Sequence, residues 1–205
     1  YTQMELIQIP NTSQFKPLAF YDYNQYLSRL ILCAQTVDDE FQKSVQRIFD
    51  VNAKSGFGKL AIGDDEKGDG VFSYMRGSVK LMERARSKAE NDYASAEWPT
   101  TACVLDLNRC SLVFDDIASL LAALKLFENK VKYYQSGCII GIVRDKNGFQ
   151  EYVKETQYAD IKLNVLIKGS KNNIIGEVQF LLSTMKRFKD KVHNLYGITR
   201  EQEYF

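Results

Sequence analysis

The chain has 205 residues, of which 45% are apolar and 12% aromatic, so it can bury a sizeable core in one domain with an appendage. Its 27 Lys and Arg residues nearly balance 26 Asp and Glu residues, so no global field would draw it onto nucleic acid or an anionic membrane, and we expect neither partner. Four widely separated cysteines and one histidine argue against a zinc site and predict free thiols in an intracellular, reducing compartment.

The N-terminal third of the chain is predicted to be helical and then irregular. Apolar positions recur at helical spacing between about residues 21 and 51, which predicts two helices. The glycine-rich, acidic stretch from Ser55 to Gly70 predicts a mobile loop. We therefore divide the chain into a helical extension with its loop, residues 1–70, and a compact domain, residues 71–205.

The second part of the chain is predicted to mix helices and strands. A helix from about Met75 to Tyr93 is followed by strand-like segments at 102–106 and 110–114, and Asp115-Asp116 would cap the next helix. An apolar run at 137–143 and alternating segments at 160–165 and 176–180 predict three more strands before a last helix at 182–196. This order predicts an α/β (α+β) fold with a mixed sheet of about five strands and helices on one face.

The two alternating strands near the C-terminus carry an ordered polar face. In a strand buried on one side, every second residue points away from the core. That second face would hold Tyr158, Asp160, Lys162, Asn164, Glu177 and Gln179. We interpret this face as the floor of a site, with Glu177 as its strongest candidate. A glutamate inside an apolar strand must face water, a partner or a metal, because unpaired burial would cost several kcal/mol.

Basic residues recur every four positions in the helix predicted after the loop: Arg76, Lys80, Arg84 and Lys88. At this spacing they would form a stripe along one side of the helix, although such stripes are often an ordinary solvated face. Asp106 at a strand end and Glu177 on the polar face are hard oxygen ligands that suit Mg²⁺, and a basic stripe could neutralise phosphates. The combination favours a site for a nucleotide and its metal.

The C-terminal motif resembles that of a known family. Glu177-Val178-Gln179-Phe180, followed by Met185 and by His193-Asn194-Leu195-Tyr196, resembles the Glu-Ile-Gln-Ile-Arg-Thr…Met…His-Lys-Leu-x-Tyr pattern of RelA/SpoT-type alarmone synthetases. Upstream, Val104-Leu105-Asp106-Leu107 resembles the metal-binding strand of that family. Lys154 and Tyr158 match the lysine and tyrosine of its Pro-Lys-x-Asn-Gly-Tyr-Arg-Ser-Leu-His signature. The resemblance covers about residues 71 to 196.

The resemblance implies an activity, transfer of pyrophosphate from ATP to the 3′-hydroxyl of GDP or GTP. It implies that Asp106 and Glu177 hold Mg²⁺ as the catalytic residues, with Glu177 also activating the acceptor hydroxyl, and that Tyr158 stacks on guanine. The remaining residues of the implied nucleotide-binding set are Arg76, Lys80, Arg84, Lys88, Lys154, Lys162, Gln179 and His193.

Departures from the family's pattern keep a second hypothesis open. Thr156-Gln157 stand in place of Asn-Gly before the tyrosine, Ala159 and Lys162 in place of the Arg and His after it, and Leu181-Leu182 in place of Arg-Thr. Losing a bidentate phosphate partner costs a few kcal/mol, and leucine cannot replace it. The alternative is a catalytically inactive domain that serves as a structural or protein-interaction module in a larger protein or assembly.

Overall fold

A computed structural model of the chain describes residues 20–50, 57–61, 69–96, 100–133, 137–150, 158–170 and 172–191. The helices are α1 (Phe20–Ile48), α2 (Met82–Asn91), α3 (Ile117–Tyr133) and α4 (183–191), with a 3-10 helix at Thr100–Cys103. The strands are β1 (Phe57–Ala61), β2 (Asp69–Arg76), β3 (Arg109–Phe114), β4 (Ile139–Asn147), β5 (Ile161–Ile167) and β6 (Ile174–Leu182). None of the helices within these ranges has the length and apolarity needed to cross a membrane.

The strands form one mixed sheet in the order β1-β2-β3-β6-β5-β4. The β3–β6 pair is parallel, and the other neighbouring pairs are antiparallel. The predicted mixed α+β sheet is confirmed, with six strands among the described residues instead of five. β1 and β2 were not predicted as strands and pair with each other where a loop and the start of a helix were expected, whereas the strand predicted at 102–106 does not form. The loop prediction is therefore wrong for 57–61 and 69–70, and residues 62–68 lie outside the described part of the chain.

The N-terminal helical region forms one helix of 29 residues rather than the predicted two. Its sequence contains no Gly or Pro, so nothing in it breaks the backbone hydrogen-bond ladder. Its apolar positions recur every three or four residues and belong to the same buried core as the sheet. The predicted domain boundary at residue 70 falls inside β2, and residues on both sides of it pack together.

Five buried phenylalanines join α1, α3 and the centre of the sheet. They are Phe49, Phe72, Phe114, Phe127 and Phe180. Ring centroids lie 5.4 Å apart for Phe49 and Phe72, and 5.9 Å apart for Phe127 and Phe180. Aromatic pairs in such geometries contribute about 0.5–1.5 kcal/mol beyond their buried area. This cluster covers one face of β2, β3 and β6 and leaves the opposite face for polar side chains.

The helix predicted from Met75 to Tyr93 is wrong at its start. Met75 and Arg76 end β2, and α2 begins only at Met82. Between them, Gly77 lies directly against β3: its N–H donates to the carbonyl of Arg109 at 3.0 Å, and a Cβ there would lie 2.7 Å from that oxygen. The four basic residues therefore do not form one helical stripe, because they lie on a strand, in a connection and on a helix.

The strand predicted at 102–106 is also wrong. The segment forms the 3-10 helix and then an irregular run that leads into β3. Val104 and Leu107 are fully buried, and the carbonyl of Leu107 accepts the N–H of Lys80 at 2.9 Å. An unbroken apolar run of this length does not by itself distinguish a strand from another buried segment.

Candidate functional site

Asp106 lies just before β3 and joins two lysines from different elements. Its Oδ2 is 3.1 Å from Nζ of Lys80, in the connection after β2, and 3.0 Å from Nζ of Lys88 on α2. The side chains of Asp106, Lys80 and Lys88 are only 12%, 10% and 27% exposed, so this is a buried charge cluster. The other oxygen, Oδ1, is buried and accepts no hydrogen bond from the described residues.

The charges in this cluster respond to burial and to one another. Burial raises the pKa of Asp106, but Lys88 and Lys80 outweigh it and hold that pKa below its usual range. Burial, together with the charges of Lys88 and Arg109, lowers the pKa of Lys80 despite the opposing effect of Asp106. Burial also opposes the charge of the more exposed Lys88, but the attraction of Asp106 and other groups prevails and raises its pKa. Lys80 is thus the lysine that gives up its proton more readily.

Glu177 lies on the polar face of β6 and is 9% exposed. Its N–H donates to the carbonyl of Asn108 at 2.8 Å, and its Oε1 accepts a hydrogen bond from Nε2 of Gln179 at 2.5 Å. Burial and the nearby charge of Asp106 raise the pKa of the Glu177 carboxyl. The two carboxylates therefore repel each other in a poorly solvated place, which is an arrangement that a proton or a cation would relieve.

A second polar group lies on the same face, around β5 and α4. The Tyr158 hydroxyl donates to Oδ2 of Asp160 at 2.8 Å, and Nζ of Lys162 is 3.1 Å from Oδ1 of the same carboxylate. Lys189 on α4 donates to Oε1 of Gln179 at 2.8 Å, and its Nζ is 5.8 Å from the centroid of the Tyr158 ring. Burial raises the pKa of Tyr158, so its hydroxyl stays protonated at neutral pH. This group and Glu177 are linked through Gln179.

Arg76 points to the opposite face of the sheet, toward α1. Its Nη2 is 2.5 Å from Oδ2 of Asp38 and 2.6 Å from Oδ1 of Asp39. Its cross-strand partner is the buried Cys110, whereas the cross-strand partner of Glu177 on β3 is Arg109. Neighbouring residues of a strand point to opposite faces, so the structure does not bring Arg76 and Glu177 together.

A buried hydrogen-bond network connects α1 to the segment that carries Asp106. Oδ1 of Asp38 accepts hydrogen bonds from Nδ2 of Asn108 at 3.0 Å and from Nε2 of Gln42 at 3.1 Å. The same amide of Asn108 donates to the carbonyl of Ala34 at 2.9 Å. Because the carbonyl of Asn108 also receives the Glu177 N–H, α1 helps to hold the strand ends where both carboxylates lie.

The structure brings most of the predicted site residues onto one side of the sheet. Those that share this side are Lys80, Lys88, Asp106, Tyr158, Lys162, Glu177 and Gln179. Arg84 is exposed on α2, and Lys154 and His193 lie outside the described residues. Lys189 was not among the residues predicted for the site. The sequence feature that could have identified Lys189 is its place on the polar side of the last predicted helix, one helical turn before His193.

The carboxylate pair has the donors that Mg²⁺ uses in proteins. Mg²⁺ is commonly held by one or two carboxylates together with substrate phosphates, and Oδ1 of Asp106 is a buried acceptor that no described residue satisfies. Within the described part of the chain, no group of three or more His, Cys, Asp and Glu side chains could hold a metal. Asp106 and Glu177 could therefore hold Mg²⁺ only if phosphate oxygens or water complete its coordination.

The chain has the fold of alarmone synthetases. It is similar to the small alarmone synthetase 1 of Bacillus subtilis bound to its product pppGpp, with a TM-score of 0.60 and 11% identity over 84% of this chain and 82% of that one. It is also similar to the small alarmone synthetase 2 of Bacillus subtilis, with a TM-score of 0.55 and 12% identity over 85% and 82% of the two chains. No protein-family model and no curated protein sequence matches the chain.

A third solved structure extends the comparison beyond one organism. A GTP pyrophosphokinase family protein from Streptococcus pneumoniae matches with a TM-score of 0.50 and 12% identity over 89% of this chain and 76% of that one. The resemblance to RelA/SpoT-type synthetases that the motifs predicted is thus confirmed for the fold. At these identities the comparison establishes the fold, and the activity is argued from the site.

Proposed function

We propose that the chain binds nucleoside polyphosphates with Mg²⁺ on the polar face of its sheet and transfers pyrophosphate from ATP to the 3′-hydroxyl of GDP or GTP. The observation that carries this proposal is the cluster of Asp106, Lys80 and Lys88 beside Glu177, with an oxygen of Asp106 that accepts no hydrogen bond from the described residues. A fold neighbour was solved bound to its product pppGpp, which supports this choice of nucleotide.

Lys80 and Lys88 are suited to bind the phosphates of ATP. Both ammonium groups contact a single carboxylate oxygen, so neither is committed to a partner of its own. Phosphate oxygens would compete with Asp106 for these groups, and each charge-assisted hydrogen bond is about twice as strong as a neutral one. Arg84, exposed on α2 one turn before Lys88, would add a contact at the outer end of the phosphates.

Glu177 would accept the proton of the acceptor hydroxyl. As that hydroxyl oxygen attacks the β-phosphorus of ATP, a new oxygen–phosphorus bond forms, the bond from the β-phosphorus to the α,β-bridging oxygen breaks, and AMP leaves with the bonding electrons. A carboxylate whose pKa is raised is a stronger base than ordinary glutamate. When bound, Mg²⁺ would neutralise phosphate charge, with Asp106 and Glu177 as its protein ligands.

Tyr158 would provide a stacking surface for the guanine base. Its hydroxyl is anchored to Asp160, which limits displacement of the outer end of the ring. Lys189 lies near the ring, so a base would stack on the part of the ring that the lysine leaves open. Lys154 and His193 complete the proposed nucleotide-binding set by the family resemblance.

A catalytically inactive module is the second candidate. The charge balance of the same cluster favours it. Two lysine charges balance the two carboxylates of Asp106 and Glu177, so this cluster is neutral without a ligand. In addition, Leu181 lies on the polar face where the resemblance expects an arginine, and Arg76 is held by α1. A domain of this kind would keep the fold for a structural or protein-interaction role.

Transfer of radioactive label decides between the two candidates. The full chain is incubated with γ-³²P-ATP, Mg²⁺ and a panel of nucleotide acceptors that includes GDP and GTP. We expect a labelled pyrophosphorylated product that Glu177→Gln abolishes and that Glu83→Gln, at an exposed position of α2, leaves intact. Absence of product with every acceptor, from protein that circular dichroism shows to be folded, would overturn the enzymatic proposal and favour the inactive module.

A further inference from the structure

Four lysines on the polar face form two pairs on either side of Glu177, one toward β3 and one toward β5. The first is Lys80 and Lys88, which share the carboxylate of Asp106. The second is Lys162 on β5 and Lys189 on α4. One member of each pair, Lys88 and Lys162, acts to lower the pKa of Glu177 against the effect of burial. Glu177 therefore lies within the electrostatic reach of both pairs.

Lys189 is the member of these pairs that the family resemblance does not assign. Its ammonium group donates to the neutral amide oxygen of Gln179 and lies over the Tyr158 ring, and no carboxylate contacts it among the described residues. Burial, together with the charges of Lys162 and Arg109, lowers the pKa of Lys189 despite the opposing effect of Asp160 and Glu177. The Lys189 ammonium group therefore lies within electrostatic reach of two other cations.

Leu181 leaves the polar face of β6 without a cation that the family's pattern has there, and Lys189 on α4 can replace that cation. Leu181 is two residues beyond Gln179 on β6, so it lies on the polar face, and it is fully buried. The family's pattern has an arginine at this position, and leucine supplies no charge. Lys189, on the helix that follows β6, brings a cation back to the same face through its contact with Gln179.

We propose that Lys189, together with Lys162, binds the phosphates of the acceptor nucleotide, while Lys80 and Lys88 bind those of ATP. This inference rests on the proposed function. Pyrophosphate transfer brings two polyanions together, and separate cation pairs on the two sides of Glu177 would neutralise each of them. An anion between Lys162 and Lys189 would also remove the repulsion between their ammonium groups. The substrate class for this subsite is a guanosine 5′-polyphosphate.

Separate binding measurements for the two nucleotides test the assignment. Isothermal titration calorimetry on the full chain with Mg²⁺ would use GDP as the acceptor probe and α,β-methylene-ATP, which cannot release AMP, as the donor probe. Lys189→Met keeps the apolar stem and removes the charge, so GDP affinity is expected to fall about 10- to 100-fold, as for loss of one charged hydrogen bond. Affinity for the ATP analogue is expected to stay within about threefold of the wild type.

Two variants provide the controls. Lys186→Met removes a lysine from the same helix whose ammonium group pairs with the exposed Asp190, and it is expected to change neither affinity. Lys88→Met is expected to weaken the ATP analogue more than GDP, the reverse of Lys189→Met. Lys189→Arg, which restores the charge, is expected to recover part of the GDP affinity.

The possible outcomes separate this inference from the function on which it rests. Wild-type binding of GDP that Lys189→Met leaves unchanged would overturn the role of Lys189 and leave the proposed function standing. Equal weakening of both nucleotides by Lys189→Met would show a structural effect of the residue and overturn the assignment as well. Failure of the wild type to bind either nucleotide would overturn both proposals.

Discussion

Replacing Asp106 by asparagine is expected to destabilise the fold by about 3 kcal/mol. The substitution keeps the size of the side chain but removes the charge that faces Lys80 at 3.1 Å and Lys88 at 3.0 Å. Removing one partner of a buried ion pair typically costs about 3–5 kcal/mol, because the remaining charge stays buried without compensation. We expect the lower end of this range because Lys88 is 27% exposed and Lys80 can release its proton.

The stabilisation from Asp106 should depend on pH in a defined direction. The pKa of Asp106 is lower in the folded chain than in the unfolded chain, where aspartate has a pKa of about 3.9. Its contribution is therefore complete above that unfolded value and is lost as the pH falls through the folded pKa. The stability difference between the wild type and Asp106→Asn should be largest near neutral pH and should shrink in acid.

Urea unfolding followed by circular dichroism at pH 7 and at pH 2.5, below the pKa of aspartate in the unfolded chain, measures both effects. Asp190→Asn, which removes one partner of the exposed pair with Lys186, is the matched control and should cost less than about 1 kcal/mol. Combining Asp106→Asn with Lys80→Met should cost less than the sum of the single changes, by about 1–2 kcal/mol, because the two residues are in contact. Equal effects of Asp106→Asn and Asp190→Asn at pH 7 would refute the description of a buried charge cluster.

Two further predictions concern carboxylates on the two faces of the sheet. Glu177→Gln should raise the melting temperature at pH 8 but not at pH 4. Burial raises the pKa of Glu177, so its ionised form is penalised only in the folded state. A lower melting temperature of the variant at pH 8 would contradict this reasoning. Asp38→Ala should cost about 3 kcal/mol in urea unfolding, because the amides of Gln42 and Asn108 each lose one of their buried acceptors and Arg76 loses an ion-pair partner. Asp39→Ala, at a side chain that is 77% exposed, should cost under about 1 kcal/mol, and similar costs for both variants would contradict the network.

The C-terminal half of the fold was predicted well because its patterns are local. Polar residues at every second position place Glu177 and Gln179 on one face of β6, and the structure agrees. The cap of α3 is similarly local, since Asp116 accepts the backbone N–H of Ser119 at 2.8 Å. Backbone geometry sets both the alternation of side chains along a strand and the three-residue separation between a helix cap and the N–H group that it accepts. Both patterns are therefore found in the folded chain.

Two of the failed predictions share a different cause. Helical spacing grouped Arg76 with Lys80 and Lys88, but pairing with β1 and β3 made residues 69–76 a strand and turned Arg76 toward α1. Backbone hydrogen bonds to a distant strand outweighed the weak helical preference of a few residues. The same cause explains β1, which is a strand because it pairs with β2.

The alternating polar face, the carboxylate pair and the resemblance to RelA/SpoT-type synthetases could all be recognised from the order of residues alone. Those features depend on spacing along the chain and on the chemistry of single side chains. The sharing of Asp106 by two lysines, the support of its segment by Asp38, and the approach of Lys189 to Gln179 were decided only by folding. Each of these contacts joins residues on different elements, and their distances depend on how helices pack against the sheet, which no local pattern encodes.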